Sequence, residues 1–349
     1  MKKYQELKVD SVWNKNHQTL EISGFKKFSS KDIPSFIEGD ILHRGIVVAE
    51  RNLDKIFKGM YEKKSISIPI GYKPGRIHLG YSILREIIQN FSQYSLSKFY
   101  ALINVSESIR ENNKSLERVL CDNEGIERIL FRDLLNNNKL IRIYDLPYLN
   151  DENTQTKFYN LKRNVSKTLR VKDFKKIMRW NEGSCISQYD EMINTLSGLI
   201  YPSLVEKITA SLIITDIKHI PFVRLINLVC NKIGMEPPSF MIIDALPSLK
   251  ENLGRMSGKG NKNTLYLDFL EEANKFLKVK TGGRSLNEQR KKGGNPSLCH
   301  ALKIISFLES EEDIENIIME CKSGKRYSCY ECKKEMTRKF IIPRIHIEK

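Results

Sequence analysis

The sequence predicts an α/β protein that has a parallel sheet, a helical insertion and a helical C-terminal region. Residues 65–70 alternate small and branched side chains like a strand, residues 71–75 form a turn pattern, and residues 79–91 have apolar side chains at helical spacing. The apolar run 99–105 then suits a buried parallel strand, so we expect a βαβ unit. In such sheets, ligands bind beyond the carboxyl ends of the strands.

The remaining elements follow in chain order. Residues 1–64 mix short strand-like and helix-like patterns, and we interpret them as an N-terminal extension. The charged, helical pattern of residues 106–195 indicates an insertion, which one strand candidate interrupts at 140–144. Two later strand candidates, 212–216 and 240–243, flank a helical segment.

The last part of the chain has a helical pattern from Tyr266 to near the end. We therefore predict three domains. They are the N-terminal extension, a central α/β domain over residues 65–268 that carries the insertion, and a helical domain over residues 269–349.

The charge balance favours a polyanionic partner. The chain of 349 residues has 58 Lys and Arg against 42 Asp and Glu, a net charge of +16 at pH 7. A solvated, lysine-rich surface without such a partner is the alternative. No apolar run approaches the roughly 20 residues that span a bilayer, and no apolar segment follows the first lysines, so we expect a cytoplasmic protein with no membrane partner.

The first candidate site is Gly75-Arg-Ile-His78-Leu-Gly80, at the predicted start of a helix. Free backbone N–H groups and the helix dipole attract phosphate at such a position. His78 could donate a hydrogen bond to a phosphate oxygen. Gly80 has no side chain, so a flat base could lie against the backbone. A structural turn is the alternative interpretation of this short pattern.

The second candidate site is the glycine-rich basic segment 253–262, which has almost no apolar anchor. Such a loop could close on a polyphosphate and neutralise the charge that builds on a leaving group; an exposed surface loop is the alternative. Asp216 ends a strand candidate between the two segments. A carboxylate there could hold ribose hydroxyls, or could cap the helical turn that follows.

These motifs resemble, in their order, those of class I aminoacyl-tRNA synthetases. His78-Leu-Gly80 resembles the first signature of that class, Asp216 its ribose-side aspartate, and Arg255-Met-Ser257 its second signature. The match is more specific downstream, where residues 280–296 and 321–334 resemble the archaeal and eukaryotic tryptophanyl-tRNA synthetases.

The resemblance extends more loosely to residues 33–60 and so covers about residue 33 to the end. It implies a Rossmann-type parallel sheet over residues 65–268, a tRNA-binding helical domain over 269–349, and a homodimer. The implied reaction is the activation of an amino acid by ATP to an aminoacyl-adenylate, followed by transfer to tRNA. Tryptophan is the first candidate for the small-molecule substrate.

The resemblance also implies roles for individual residues. His78, Lys259 and Arg255 would be catalytic; His78 and Lys259 would stabilise the reacting phosphorus and the departing pyrophosphate, with Mg²⁺ sharing the charge. The implied ATP-binding residues are Gly75, His78, Gly80, Asp216, Met256, Ser257 and Lys259.

Five positions depart from the family pattern. Tyr81 stands where the first signature has His or Asn, and Arg255 stands where the second begins with Lys. In the amino-acid pocket, Val205 and Ile217 replace glutamines, and a further Gln is replaced near Asn104. Losing a buried polar partner can change discrimination between substrates by orders of magnitude.

These departures motivate two alternatives to a tRNA ligase. One is a diverged paralogue that supplies an activated amino acid to a non-tRNA acceptor in specialised metabolism. The other is a non-catalytic RNA-binding homologue. For the ligase, the basic stretches 172–176 and 278–292, together with Trp180, would contact RNA.

Four of the seven cysteines are grouped near the C-terminus, at Cys299, Cys321, Cys329 and Cys332. Thiolates at four such positions could bind Zn²⁺ or an iron-sulfur cluster. The pattern is similar to that of tryptophanyl enzymes that carry an iron-sulfur cluster. In the alternative interpretation, Cys299 and Cys321 are buried in helices as small hydrophobic residues.

Overall fold

The computed structural model describes residues 4–37, 41–94, 96–137, 139–180, 186–205, 208–251, 254–256, 262–282, 284–324 and 328–345. Its strands are β1 (Lys26–Lys27), β2 (Val47–Arg51), β3 (Ile66–Tyr72), β4 (Ser97–Ile103), β5 (Leu140–Tyr144), β6 (Ala210–Asp216) and β7 (Ser239–Ile243). Its α-helices are α1 (Tyr4–Ile22), α2 (Leu53–Tyr61), α3 (Gly80–Ser92), α4 (Val105–Asn112), α5 (Leu116–Leu130), α6 (Arg132–Asn136), α7 (Glu152–Thr168), α8 (Val171–Met178), α9 (Ile186–Val205), α10 (Ile220–Ile233), α11 (Leu286–Lys292), α12 (His300–Ile305), α13 (Glu311–Lys322) and α14 (Cys329–Met336).

The strands form one seven-stranded sheet in the order β1-β2-β7-β6-β3-β4-β5. The pairs from β7 to β5 are parallel, and β1 and β2 are added antiparallel at the β7 edge. The prediction of an α/β fold with a largely parallel sheet is confirmed. The βαβ unit is also present, because α3 connects β3 to β4 and the two strands pair from Ile66 with Ser97 to Tyr72 with Ile103.

Two segments outside the predicted central strands contribute to the same sheet. The strand candidate in the insertion is β5, and it pairs with β4 rather than standing apart from the sheet. The N-terminal extension supplies β1 and β2. The division of the chain into three domains stays a prediction.

The sheet is buried on both faces, which explains why its strands are nearly continuous apolar runs. In β4, Phe99, Ala101 and Ile103 face one hydrophobic cluster, while Tyr100 and Leu102 face the other. The first cluster extends into the C-terminal helices and the second into the helices of the insertion. No described helix combines the length and the apolar character that crossing a membrane requires.

Candidate active site

The carboxyl ends of β3 and β6 form the crevice where the predicted motifs meet. From β3 the chain adds β4 and β5 on one side and later returns to add β6 and β7 on the other side. The strand order therefore reverses between β3 and β6, and ligands bind at such reversals in open α/β sheets. Asp216 is the last residue of β6, and the loop that carries Gly75 and His78 follows β3.

The loop before α3 is fixed by backbone pairing with a distant segment. His78 forms an antiparallel bridge with Tyr266, and the Leu79 N–H donates to the Leu265 carbonyl over 2.8 Å. The segment that follows the glycine-rich loop therefore holds the first candidate motif in place. Gly75 lies in the same loop, and open space surrounds the position where its side chain would be.

His78 folds back over the start of α3. The Gly80 N–H donates to His78 Nδ1 over 3.1 Å, and a Cβ at Gly80 would lie only 2.8 Å from the imidazole Cε1. Any larger residue at position 80 would therefore force the imidazole to move. The imidazole thus fills space beside Gly80 in which a base was expected to lie, so an adenine there would require the ring to move.

The protonation state of His78 follows from its surroundings. Burial, and secondly the positive charge of Arg255, lower the pKa of His78 to about 4. The ring is therefore neutral at pH 7. Because Nδ1 accepts the bond from Gly80, the proton of the neutral ring is on Nε2, which is then available as a hydrogen-bond donor.

Asp216 is engaged on both carboxylate oxygens. Its Oδ1 accepts from the Lys218 backbone N–H over 2.8 Å and lies 3.1 Å from His219 Nδ1. Its Oδ2 forms an ion pair with the guanidinium of Arg255. The capping role is thus present in the structure, while the ribose-binding role stays a prediction. The ion pair joins the β6 end directly to the second signature.

The described part of the glycine-rich segment packs against the same crevice. Met256 is buried, and its N–H donates to the Leu246 carbonyl over 2.8 Å. Leu246 also lies 3.8 Å from where a Cβ at Gly80 would be, so Gly80 and Met256 share this neighbour. Ser257 and Lys259, both predicted to bind ATP, lie outside the described residues.

Two charged residues of the site were missed from the sequence. Lys73 Nζ lies 3.5 Å from Glu107 Oε1 and also pairs with Glu111. Burial raises the pKa of Glu107, and Lys73 partly opposes this shift. Burial also raises the pKa of Tyr81, and the charge of Glu107 adds to it. The signal was available, because Glu107 lies just past the carboxyl end of β4.

The predicted amino-acid pocket is only partly described. Asn104 follows β4 and is nearly buried; its Oδ1 accepts from Thr195 Oγ1 of α9 over 3.3 Å. Ile217 is partly buried against the second hydrophobic cluster. Val205 is the last residue of α9, and its side chain lies outside the described residues. The hydrogen bond between Thr195 and Asn104 thus links α9 to the end of β4 at this edge of the sheet.

The four C-terminal cysteines line one narrow cavity of about 20 Å³. Cys299 directly precedes α12, and Cys321 is the second-to-last residue of α13. Cys329 and Cys332 lie in the first turns of α14. Burial raises the pKa of the Cys299 thiol. Among the described residues, no three His, Cys, Asp or Glu side chains are already arranged to hold a metal ion.

Comparison with known proteins identifies relatives along most of the chain. No family model matches. The chain is 25% identical over 320 residues to a tryptophan–tRNA ligase of Pyrococcus abyssi, covering 90% of this chain and 79% of the relative. A tryptophan–tRNA ligase of Pyrobaculum calidifontis is 24% identical over 343 residues, covering 92% and 85%. The chain is thus similar to tryptophan–tRNA ligases along about nine tenths of its length.

Solved structures agree with this family on the fold. The tryptophanyl-tRNA synthetase of Giardia lamblia superposes with a TM-score of 0.79 at 17% identity, covering 96% of this chain and 92% of that one. The enzyme of Aeropyrum pernix superposes with a TM-score of 0.76 at 18% identity, covering 93% and 89%. These structures and the sheet topology show that the chain has the expected Rossmann-type core, whereas the roles of its individual site residues stay predictions.

Proposed function

We propose that this protein activates an amino acid with ATP to the aminoacyl-adenylate and transfers it to tRNA, with tryptophan as the first candidate. The observation that carries the proposal is the meeting of His78, Gly80, Asp216 and Arg255 at the crevice between β3 and β6. The relatives along 90% of the chain are named tryptophan–tRNA ligases. Their names favour this reaction over the two alternatives.

The chemistry asks the protein mainly to position groups and neutralise charge. The carboxylate of the amino acid attacks the α-phosphorus of ATP, an oxygen–phosphorus bond forms, and pyrophosphate leaves. In our proposal the Nε2–H of neutral His78 donates to a phosphate oxygen as charge builds on it. Arg255 supplies positive charge to the same region, and Lys259 is proposed to do so from the glycine-rich loop. Mg²⁺, when bound with ATP, would share this charge.

In this proposal, ATP binding rearranges two contacts of the described conformation: the ion pair between Asp216 and Arg255, and the packing of the His78 ring beside Gly80. The ribose hydroxyls need Asp216, whose Oδ2 is paired with Arg255. We propose that the incoming ribose takes over this carboxylate and that Arg255 turns toward the phosphates. The same motion would let the His78 ring leave the space beside Gly80.

We assign Glu107 to the amino-acid side of the site. It lies past the end of β4, is close to Tyr81 and pairs with Lys73. A carboxylate in this position suits the ammonium group of an amino acid. Glu107→Gln should raise the KM for the amino acid about tenfold or more and leave the KM for ATP within about twofold. Equal changes in both KM values would contradict the assignment.

ATP–pyrophosphate exchange with the purified protein, run against a panel of amino acids, tests the proposed reaction. Exchange with tryptophan, followed by charging of tRNA, supports it. Exchange with another amino acid would redirect the substrate, and exchange without tRNA charging would point to a non-tRNA acceptor. No exchange with any amino acid, with or without tRNA, would contradict the enzymatic function.

Binding of tRNA, a homodimer and a cytoplasmic location are further parts of the proposal. The net charge of +16 supports a polyanionic partner. Reversing the lysines of α8 with Lys175→Glu and Lys176→Glu should weaken tRNA binding and flatten its salt dependence. Light scattering measures the mass in solution, and a mass near the 40.6 kDa of one chain would contradict the homodimer.

We also propose that the four C-terminal cysteines bind a metal, either Zn²⁺ or an iron-sulfur cluster. Their lining of one cavity supports this, and four thiolates suit both groups. The cavity is narrow, so the thiols would have to reorient around the bound group.

Metal analysis after anaerobic purification tests the cysteine proposal. Zinc, or iron with sulfide, should be present near one site per chain and should be lost in a Cys329→Ser, Cys332→Ser variant. Cys121→Ser is the control, because Cys121 is exposed on α5, away from the cavity. The absence of zinc and iron from the wild-type protein would rule the site out.

A further inference from the structure

A second cavity lies at the opposite end of the sheet from the candidate active site. It has a volume of about 350 Å³ and lies beside Ile66 and Ser97, the first residues of β3 and β4. The active-site crevice lies beyond the carboxyl ends of these strands, about 20 Å away along seven residues. The proposed adenylate chemistry uses none of its lining residues.

Aromatic side chains dominate one wall of this cavity. Phe36 lies with its ring centroid 5.9 Å from that of Tyr61 and 6.1 Å from that of Tyr94. The Tyr94 hydroxyl donates to the Phe36 carbonyl over 2.7 Å, which fixes these two residues together. Tyr61 is 75% exposed, so a large aromatic surface faces water next to the cavity. A flat, aromatic ligand could cover it by stacking.

Ser97, whose hydroxyl is buried, is one of the residues that line the same cavity. Ser97 is only 2% exposed, and its Oγ has no hydrogen-bond partner among the described residues. Buried hydroxyls are usually paired, since an unpaired one loses the hydrogen bond that water would have given it. A ligand with a polar edge would supply the missing partner.

The rim carries positive charge. Lys63 and Lys64 line the cavity and are exposed. Lys64 Nζ pairs with Glu62 Oε2 over 2.6 Å, so the two lysines and this carboxylate leave a net positive charge. An anionic group attached to the flat ligand would therefore be attracted to the rim.

We propose that this cavity binds one unstacked nucleotide of a single-stranded RNA segment. The base would stack on Tyr61, its polar edge would meet the Ser97 hydroxyl, and its phosphate would lie near Lys63 and Lys64. The net charge of +16 favours an RNA chain as the source of the nucleotide. The inference is independent of the amino acid that the chain activates.

Photocrosslinking with a short oligouridylate that carries one 4-thiouridine tests the site, with the adduct located by mass spectrometry. We expect the adduct on a peptide containing Tyr61 or Tyr94. Tyr61→Ala should weaken binding of the oligonucleotide about fivefold or more, and Lys63→Gln with Lys64→Gln should weaken it and reduce its salt dependence. ATP–pyrophosphate exchange should be unchanged in both variants.

Tyr148→Ala is the matched control, because Tyr148 is 65% exposed and lies outside this cavity. Thermal unfolding checks that each variant is folded. Adducts only at other sites, or an affinity that Tyr61→Ala leaves unchanged, would overturn the proposal. An equal affinity for free 4-thiouridine monophosphate would also overturn it, by assigning the cavity to a mononucleotide instead of RNA.

Discussion

Arg255 forms an ion pair with Asp216 across the crevice where ATP is proposed to bind. Arg255 belongs to the segment that resembles the second signature, and Asp216 is proposed to hold the ribose of ATP. The pair therefore links nucleotide recognition to the positive charge that the reaction needs. The guanidinium contacts Oδ2 of Asp216, while Oδ1 accepts from the Lys218 N–H, so a single carboxylate joins the strand end, the turn after it and the second signature.

Replacing Arg255 should separate binding from chemistry. In Arg255→Gln the competitor for Asp216 is gone, so ATP should bind no more weakly than in the wild type. The exchange rate should nevertheless fall about 100-fold, because positive charge at the phosphates is lost. Arg255→Lys should retain most of the rate. Arg118→Gln, which breaks an exposed ion pair with Asp122, is the control and should leave the exchange rate unchanged. An unchanged exchange rate in Arg255→Gln would refute the role of Arg255.

Two substitutions at Asp216 distinguish ribose binding from capping. Asn keeps the ability to accept from the Lys218 N–H but loses the ion pair, so Asp216→Asn should change the free energy of unfolding by less than about 1 kcal/mol. It should still raise the KM for ATP tenfold or more. Asp216→Ala should raise the KM similarly and cost about 1 kcal/mol through loss of the cap. If only the alanine variant raises the KM, Asp216 is a cap and not a ribose ligand.

His78 should contribute to the loss of unfolding free energy as the pH falls. Its folded pKa of about 4 lies below its ordinary value of 6.5, so the folded state binds fewer protons than the unfolded state between these values. Stability from this group is therefore fully present above about pH 6.5 and is lost as the pH falls toward 4, by up to about 3 kcal/mol. Denaturant unfolding at several pH values measures the loss.

His78→Gln should show a shallower decline in stability over the same pH range. His17→Gln is the control, because His17 is exposed on α1, and it should decline like the wild type. Because His78 stays neutral at pH 6.5, its titration should not lower the ATP–pyrophosphate exchange rate of the wild type near that pH. Identical slopes for the His78→Gln variant and the wild type would contradict the lowered pKa.

A methyl group at Gly80 should disturb the site directly. The Cβ of Gly80→Ala would lie 2.8 Å from the His78 Cε1, so the imidazole must move and its bond from the Gly80 N–H is strained. We expect the exchange rate to fall about tenfold or more. Gly125→Ala on α5 meets nothing within 4 Å and should stabilise the helix by roughly 0.5–1 kcal/mol with unchanged activity. Full activity in Gly80→Ala would rule out the tight His78 geometry.

Local patterns predicted much of the architecture. β5 begins and ends at the predicted residues, and β4 lies within two residues of its predicted run. Patterns could not show that β5 joins β4 in the main sheet, since strand pairing depends on contacts between remote segments. For the same reason Lys73, in the loop after β3, and Glu107, in the first turn of α4, were missed as a pair.

The amino-acid sequence by itself determined the α/β class, the order of the signature-like motifs and the resemblance to tryptophanyl-tRNA synthetases, because these depend on residue types and local spacing. Only the tertiary structure decided that Asp216 pairs with Arg255, that His78 is neutral and folded over Gly80, and that four cysteines line one cavity. Each of these depends on burial and on distances between segments far apart in the chain. Such distances follow from the packing of the whole molecule, and the local spacing of apolar residues does not determine them.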